Sequence, residues 1–511
     1  MGTLFDEVAA RGTHTTVHLD RPLDIAPDRG AAYTVAQLAD LVREAAGWLS
    51  AAGVRAGDRV AVVKRNHWDY DVLACAAIRL GALPALISSH LDADTVDTLL
   101  ARLDPALLVT DRVPGSTRGR RVLSLGESFP GALTLDDVRG SPAPAPRGRH
   151  DDKPLIINHT SGTTGVPKLV VHSTRTIIHR LARFEAIRWP LIGTRRDDVV
   201  GQASSYAHGR TFCWTASVFC LAPKEIVLLS EHTSAARVFG AHPPTTLEAL
   251  PSAYVRWQPL AASPENPFQS VRLFVSTYDA MHPPAIRTML NASSRRSPLW
   301  MQGWGQTETG PLTFRFLTRR ALARANPTTR HLGRPLPGKT RLRVVDPQTF
   351  EPLARGRTGL VLARTGAQCV GYVGERERWH AKNFGLWWNT GDLGTVTRAG
   401  GVLLLDRAVD SVPGLSCLEV EDRVEDRLPG VVECVLLGAS DRLPIPVVVT
   451  VDGWLDLDEW RTAVADLPPM ADPHVLTWSE VPRTGTGKVR RAELLTRLVG
   501  RADTPGSAQW T

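Results

Sequence analysis

Leu155–Asn158 and Leu169–His172 are short apolar, β-prone runs. Between them lie Thr160, Ser161, Gly162, Thr163, Thr164 and Gly165, followed by Pro167 and Lys168. Few folds have a use for two strands joined by a loop made almost wholly of glycine and hydroxyl residues. Glycines let backbone N–H groups approach a phosphate closely, and hydroxyls add further donors to its oxygens. Lys168 supplies the positive charge. The Walker pattern needs Gly-Lys-Ser/Thr and a following helix. Here Pro167 precedes the lysine and a strand pattern follows it, so the loop predicts phosphate binding of another kind. Taken alone, the same composition also describes a flexible hairpin tip.

The chain around this loop reads as α/β. Tyr33–Gly53 predicts a helix, with Thr34 as its cap, Leu38, Leu41, Val42, Ala45 and Leu49 as its apolar face, and Gly53 as its stop. A buried-type strand over 58–63, a helix over Asp69–Leu80 and a strand over Pro84–Ser88 follow, which predicts a parallel sheet covered by helices. Pro142–Arg149 is a linking loop. Shorter strands gather at Leu342–Val345 and Gly359–Ala363. After a turn near Asp406–Gly414, the strands Val432–Leu437 and Pro446–Val451 and a helix near Leu457–Leu467 form a segment of their own.

The net charge of +8 raises nucleic-acid binding. Arginine pairs such as Arg120-Arg121, Arg295-Arg296 and Arg490-Arg491 are spread over the whole chain, where a nucleic-acid footprint is a stripe with interleaved aromatics. No nucleic-acid partner is expected. No apolar run is long enough to span a bilayer, and the start lacks a basic region ahead of an apolar one, so neither a membrane segment nor a signal peptide is expected. The six cysteines are scattered without metal-ligand or redox spacing. They read as buried small apolar residues in a reducing, cytoplasmic protein.

Three more constellations carry chemistry. In 303–310, Trp304 offers an aromatic plane, Thr307 a hydroxyl and Glu308 a carboxylate, so a base can stack and a phosphate-bound Mg²⁺ can be held. In 387–392, Asp392 follows Gly391 in a tight turn, where a carboxylate can accept both ribose hydroxyls. In 481–491, Lys488 sits on a Gly-Thr loop from which it can neutralise a reacting phosphate. Only seven of the sixty basic residues are lysine, yet Lys168 and Lys488 both fall in phosphate-type loops. The compact charge of an ammonium is wanted there.

Taken together and in this order, with His331–Gly338 and Gly371-Tyr372, these segments resemble the adenylate-forming superfamily of acyl-CoA synthetases, luciferases and peptide-synthetase adenylation domains. The resemblance runs from about Thr34 to Leu495. It implies an N-terminal domain over 1–407, made of two α/β subdomains and a β-barrel, a mobile α+β C-terminal domain over 408–501, and a tail over 502–511. It also implies ATP and Mg²⁺. Thr160, Ser161, Gly162, Thr163, Thr164, Gly165 and Lys168 would hold the pyrophosphate portion of ATP. Trp304 would stack on adenine, Thr307 would serve the α-phosphate and Glu308 the metal. Asp392 and Arg407 would bind ribose, and Lys488 would bridge the acid and the α-phosphate. His208 matches a histidine that lines the acid pocket.

The chain departs from the family pattern in three places. Val409 stands where the hinge has an acid. The loop from Asp410 to Glu419 is short by several residues, in a region that helps form the thioester site of CoA ligases. The small Gly-Gly-Ala wall of the adenine and acid site reads Thr277-Tyr278-Asp279-Ala280. That wall places Tyr278 at the nucleotide and Asp279 at the acid, and its bulk predicts a small or polar pocket. No acid stands where an amino-acid-activating domain binds its amine. The leading expectation is a ligase that adenylates a small or aromatic carboxylate and passes it to CoA, a carrier-protein thiol or an amine. The alternative is a diazotase, which joins nitrite to AMP and transfers it to an aryl amine, with Arg210 beside His208 serving the small anion. A nucleotide-binding scaffold without catalysis is a third reading.

Overall fold

The computed structural model describes residues 1–113, 119–160, 165–409, 412, 415–438 and 442–500. Helix Val35–Ala51 starts where its cap predicts. The Thr34 hydroxyl accepts from the Gln37 N–H, and the Gln37 side chain accepts from the Thr34 N–H. Gly53 follows with φ +92° and ends it. Strands Arg59–Lys64 and Leu83–Ser88 pair in parallel, with helix Asp69–Arg79 as the crossover.

These strands belong to an eight-stranded sheet, ordered 371–372, 169–173, 154–159, 83–88, 59–64, 107–110, 121–124 and 132–134. A nine-stranded sheet runs 334–335, 310–317, 299–306, 273–276, 246–249, 199–203, 225–229, 16–19 and 32–34. Both are parallel at their centres and antiparallel where they meet the rest of the fold. The antiparallel strands 340–345, 358–365, 387–396, 383–384 and 402–407 form the third unit, where a β-barrel is expected. Together they make the large N-terminal domain. The smaller C-terminal domain has strands 431–437, 445–450 and 474–477 under helices Cys417–Arg427, Leu457–Val464 and Arg491–Val499. No described helix is long and apolar enough to cross a membrane.

In parallel sheets the carboxyl ends of the strands are where ligands bind. Here Thr160, just past strand 154–159, and Thr277 and Tyr278, just past strand 273–276, line one cavity of ≈ 700 Å³ together with residues of the 299–306 strand. All six cysteines are free. Five are buried, as expected, but Cys220 is exposed, because it sits on the outer face of helix Gly209–Leu221.

The small domain is tied down through one helix. Asp422, fully buried, accepts from the Thr329 N–H at 2.7 Å, the Thr329 hydroxyl at 2.8 Å and His282 Nδ1 at 2.8 Å. Arg287 donates to Asp426 at 2.6 Å, and Arg330 pairs with Glu419. Burial works against charge on His282, but Glu425 and Asp422 outweigh it and hold the imidazole up at about 10. A group raised on folding contributes below its unfolded value near 6.5 and loses the contribution as pH climbs through its folded value. His282→Ala is therefore expected to cost about 2 kcal/mol at pH 7. The difference from the parent chain, measured by urea unfolding, should close as pH approaches 10.

Candidate active site

The loop expected to hold phosphate closes at its base. The Thr160 N–H donates to the Lys168 carbonyl at 3.0 Å, and the Lys168 N–H donates to the Thr160 hydroxyl at 3.1 Å. Thr160, Gly165 and Lys168 line the cavity, and Gly165 has φ +117°, a conformation side chains rarely adopt. Ser161, Gly162, Thr163 and Thr164, expected to complete the loop, lie outside the described residues. So do Asp410 of the hinge and the tail from Arg501.

Lys168 reaches across to the second constellation. Its Nζ lies 3.9 Å from Glu308 Oε1 and 5.4 Å from the centre of the Tyr372 ring. Burial lowers the lysine to about 8; Glu308 opposes this, while Lys382, Arg378 and Arg407 add to it. Glu308 Oε1 also accepts the Tyr372 hydroxyl at 2.7 Å. Among the described residues, the side-chain contacts of Glu308 go to that one oxygen, which leaves Oε2 for a cation. Thr307 is fixed through its carbonyl, which lies 2.7 Å from His172 Nε2.

Trp304 lies on strand Leu299–Gln306, where the pairing slips between Trp304 and Gly305. Such bulges re-aim side chains near active sites. Gly305 permits it, since a Cβ there would stand 2.2 Å from the Gly310 carbonyl oxygen. Asp392 is buried and faces the same space, with Oδ1 3.7 Å from Arg407 Nε. Burial raises its carboxyl, with Arg407, Lys382 and Trp304 acting the other way. The same cavity thus gathers Lys168, Arg378, Lys382 and Arg407 against Glu308 and Asp392.

Farther in, His208 caps helix Gly209–Leu221 and shares its surroundings with His159 and Tyr278, at ring separations of 4.8 and 5.9 Å. His159 Nε2 accepts the Ser88 N–H at 3.0 Å, so Nδ1 carries the proton and donates to the Thr160 carbonyl at 2.7 Å. Burial holds His159 down at about 4 and His208 well below its usual value, where His159 and Lys488 add to the effect. Both imidazoles are neutral at pH 7. Tyr278 has φ +77°, a left-handed conformation that a bulky residue adopts only under strain. Asp279 lines the cavity beside it and accepts its neighbour Ala280's N–H at 3.0 Å.

Arg210 corrects the sequence reading. Its Nε and Nη2 donate to the two oxygens of Glu248 at 2.7 and 2.6 Å, and its Nη1 donates to Glu185. These bonds spend the guanidinium on two carboxylates, so it does not serve a small anion. Sequence reasoning missed both glutamates, which stand 25 and 38 residues away from Arg210. It also missed Arg378 and Lys382; only the rarity of lysine could have pointed to Lys382.

Lys488 lines the cavity on a loop closed by the Thr484 N–H to its carbonyl at 2.8 Å. Two glycines let this loop seat. A Cβ on Gly485 would stand 2.9 Å from Ser88 Oγ, and one on Gly487, at φ +82°, would stand 2.3 Å from Ser252 Oγ.

The sequence model described as AMP-binding enzyme matches residues 5–373. A 3-amino-2-hydroxy-4-methoxybenzoate diazotase of Streptomyces cremeus is 38% identical, with 98% of this chain and 96% of the relative covered. A 4-hydroxybenzoate–CoA/benzoate–CoA ligase of Rhodopseudomonas palustris is 28% identical over 95% of this chain and 92% of its own. In fold, the chain is similar to ATP-bound MatB from Rhodopseudomonas palustris, with TM-score 0.77, 23% identity, and coverage of 98% of this chain and 100% of that one.

Gly487→Ala is expected to unseat Lys488 through both its φ and its contact with Ser252. Pyrophosphate release should fall by about a hundredfold, while ATP binding to the large domain, read by equilibrium dialysis, should change little.

Proposed function

The chain belongs to the AMP-binding enzyme family, and on that premise we propose that this ATP-using, AMP-forming ligase is a diazotase: it adenylates nitrite and transfers the nitroso group to an aryl amine. The observation that carries the reading is the wall formed by Tyr278 against His208, at 5.9 Å between rings. A bulky side chain in a left-handed conformation occupies the place of the small family wall. In this reading Tyr278 reduces the space for the acid at the point of adenylation, and the apolar lining of the same cavity, Trp214, Val218 and Leu221, suits an aromatic ring. A neutral His208 can donate one N–H to a triatomic anion there. The 38% identity to a diazotase across almost the whole of both chains supports the same reading. So does the short run from Asp410 to Glu419, which disfavours CoA as acceptor.

In this reading a nitrite oxygen attacks the α-phosphorus and pyrophosphate leaves in line. Lys168, Gly165, Thr160 and the rest of their loop hold the departing pyrophosphate. Trp304 stacks on adenine, and Asp392 with Arg407 takes the ribose. Thr307 donates to the α-phosphate, and Lys488 neutralises the charge that grows between nitrite and phosphorus. Glu308 fits Mg²⁺, a hard cation that wants oxygen ligands, because Tyr372 and Lys168 engage only one of its oxygens. The metal would neutralise phosphate charge. Residues 408–501 would move as a unit about Arg407, withdrawing Lys488 after adenylation. Cytoplasmic placement, where ATP is supplied, agrees with this chemistry.

The direct test is ATP-dependent pyrophosphate release with nitrite and with aliphatic and aryl carboxylates, each with and without CoA and an aryl amine. Release with nitrite, accelerated by the amine and indifferent to CoA, is expected; release only with a carboxylate, completed by CoA, rejects the reading. Lys488→Ala should lose about a hundredfold or more of that release while still binding ATP. Tyr278→Gly should relieve the backbone and admit aryl carboxylates to adenylation, at the expense of nitrite selectivity. Lys168, lowered to about 8, is charged below that pH and neutral above it. ATP affinity is therefore expected to fall as pH rises past 8, and Lys168→Gln should flatten the dependence.

A further inference from the structure

The deep end of the cavity has an apolar slot and an ionic wall. Trp214, Val218, Leu221, Ile192, Leu273 and Val275 line the slot. The wall is the Glu185–Arg210–Glu248 cluster, which carries two negative charges against one positive. The two acids are not equivalent. Glu248 meets Arg210 with both oxygens, at 2.7 and 2.6 Å, and its side chain is 5% exposed. Glu185 meets Arg210 with Oε1 alone, and its Oε2 receives only a long bond from the Ser217 hydroxyl, at 3.3 Å. The available lone pairs of the cluster are therefore on Glu185 Oε2. Glu185 follows directly on the π-helical stretch Thr174–Ala182, a distortion frequent at functional sites. A second, separate group in this cavity has no partner among the described residues: Gln302 is 6% exposed, and its buried Oε1 accepts no hydrogen bond from them. A buried acceptor left unpaired is costly, so a ligand that brings donors is favoured there.

Resting on the nitrite reading, we propose that this cluster is the binding site for the acceptor, an aromatic primary amine, and that Glu185 takes and returns the proton of diazotisation. The ring lies in the apolar slot and the amine donates N–H to Glu185 Oε2. The amine nitrogen attacks the nitrogen of the nitrite–AMP anhydride. The new N–N bond forms, the N–O bond to phosphate breaks, and AMP leaves with that electron pair. The proton shed by the amine passes to Glu185, leaving an N-nitroso arylamine. Its tautomer, the diazohydroxide, takes the proton back on oxygen and loses water, which leaves the aryl diazonium cation. No oxidant or reductant is needed, and the net proton change at Glu185 is zero. The excess negative charge of the cluster then faces the cation it has helped form. Cys213, in the same cavity, is pushed well up by burial and by Glu185, so it stays a thiol rather than a thiolate that would trap the diazonium.

The experiment uses the full chain, with 3-aminobenzoate as the amine. Diazonium formation is read by azo coupling and divided by the same protein's nitrite-dependent pyrophosphate release. For Glu185→Gln this ratio should fall by about tenfold or more, and Glu185→Asp should restore part of it. Tryptophan fluorescence titration should show the parent chain binding 3-aminobenzoate about fivefold or more tighter than its isostere 3-methylbenzoate, with that preference lost in Glu185→Gln. A ratio that does not fall, or an amine preference that is absent from the parent or kept in the variant, overturns the assignment. A parent chain that releases no pyrophosphate with nitrite rejects the nitrite reading instead. In that event the proton role of Glu185 falls with it, and the amine-over-methyl preference decides only whether the cluster binds an aryl amine.

Discussion

One carboxylate, Glu308, joins the parts on which the site depends. It stands at the end of a strand pair in the nine-stranded sheet. Its side chain accepts the Tyr372 hydroxyl at 2.7 Å, and its carbonyl accepts the Cys369 N–H at 2.6 Å. Tyr372 lies on the short strand that pairs with Leu169–Ser173 at the edge of the eight-stranded sheet. Together with the His172–Thr307 contact beside it, this acid joins the two sheets, and it faces Lys168. Removing it would leave Lys168 among Lys382, Arg378 and Arg407 with its chief counter-charge gone. Like charges gathered around a largely buried lysine are stabilised by an anion among them, and a nucleoside triphosphate is such an anion.

The cavity thus carries two charged groups of opposite excess. Cations dominate where the phosphates would lie, and the far wall carries an excess of carboxylate. A substrate that was itself an aryl carboxylate, turned with its ring into the slot, would keep its charge at the nucleotide end, as an acid–CoA ligase requires. The negative far wall has no work in that arrangement. It has work when the second reactant becomes a cation, because a low-dielectric site strengthens the attraction between the product and the fixed charge facing it.

Much of this was legible in the chain. The helix over 35–51 starts at its predicted cap, and the strand–helix–strand over 59–88 follows its apolar pattern, because both signals are local. Lys168, Glu308, Trp304, Asp392 and Lys488 were singled out separately along some 320 positions, and they line one cavity. What sequence could not supply was pairing. Arg210 reads as a free cation beside a histidine, yet its charge is taken up by acids from a distorted helix and a neighbouring strand, 25 and 38 residues away. No periodicity links those positions; only the packing of helix Gly209–Leu221 across the sheet does. The strain at Tyr278 was equally hidden, since its identity departs from the family wall but its φ is a property of the fold.

That strain gives the wall its meaning. A tyrosine forced to φ +77° persists only where the surrounding structure over-determines it, and glycine would relieve it at no steric cost. Its ring stands beside His208, and His208 is held neutral by burial, by His159 and by Lys488. On the proposed reading, a neutral donor behind a bulky wall would recognise a small anion through one hydrogen bond and leave the full charge of that anion for Lys488. Lys488 in turn reaches the cavity only because Gly485 and Gly487 allow its loop against Ser88, His90 and Ser252. Recognition of the acid, seating of the small domain and neutralisation of the reacting phosphate would then be one event. On the proposed reading the order of the reaction follows from it: the amine would meet an anhydride, because the anion would be adenylated only while Lys488 is seated.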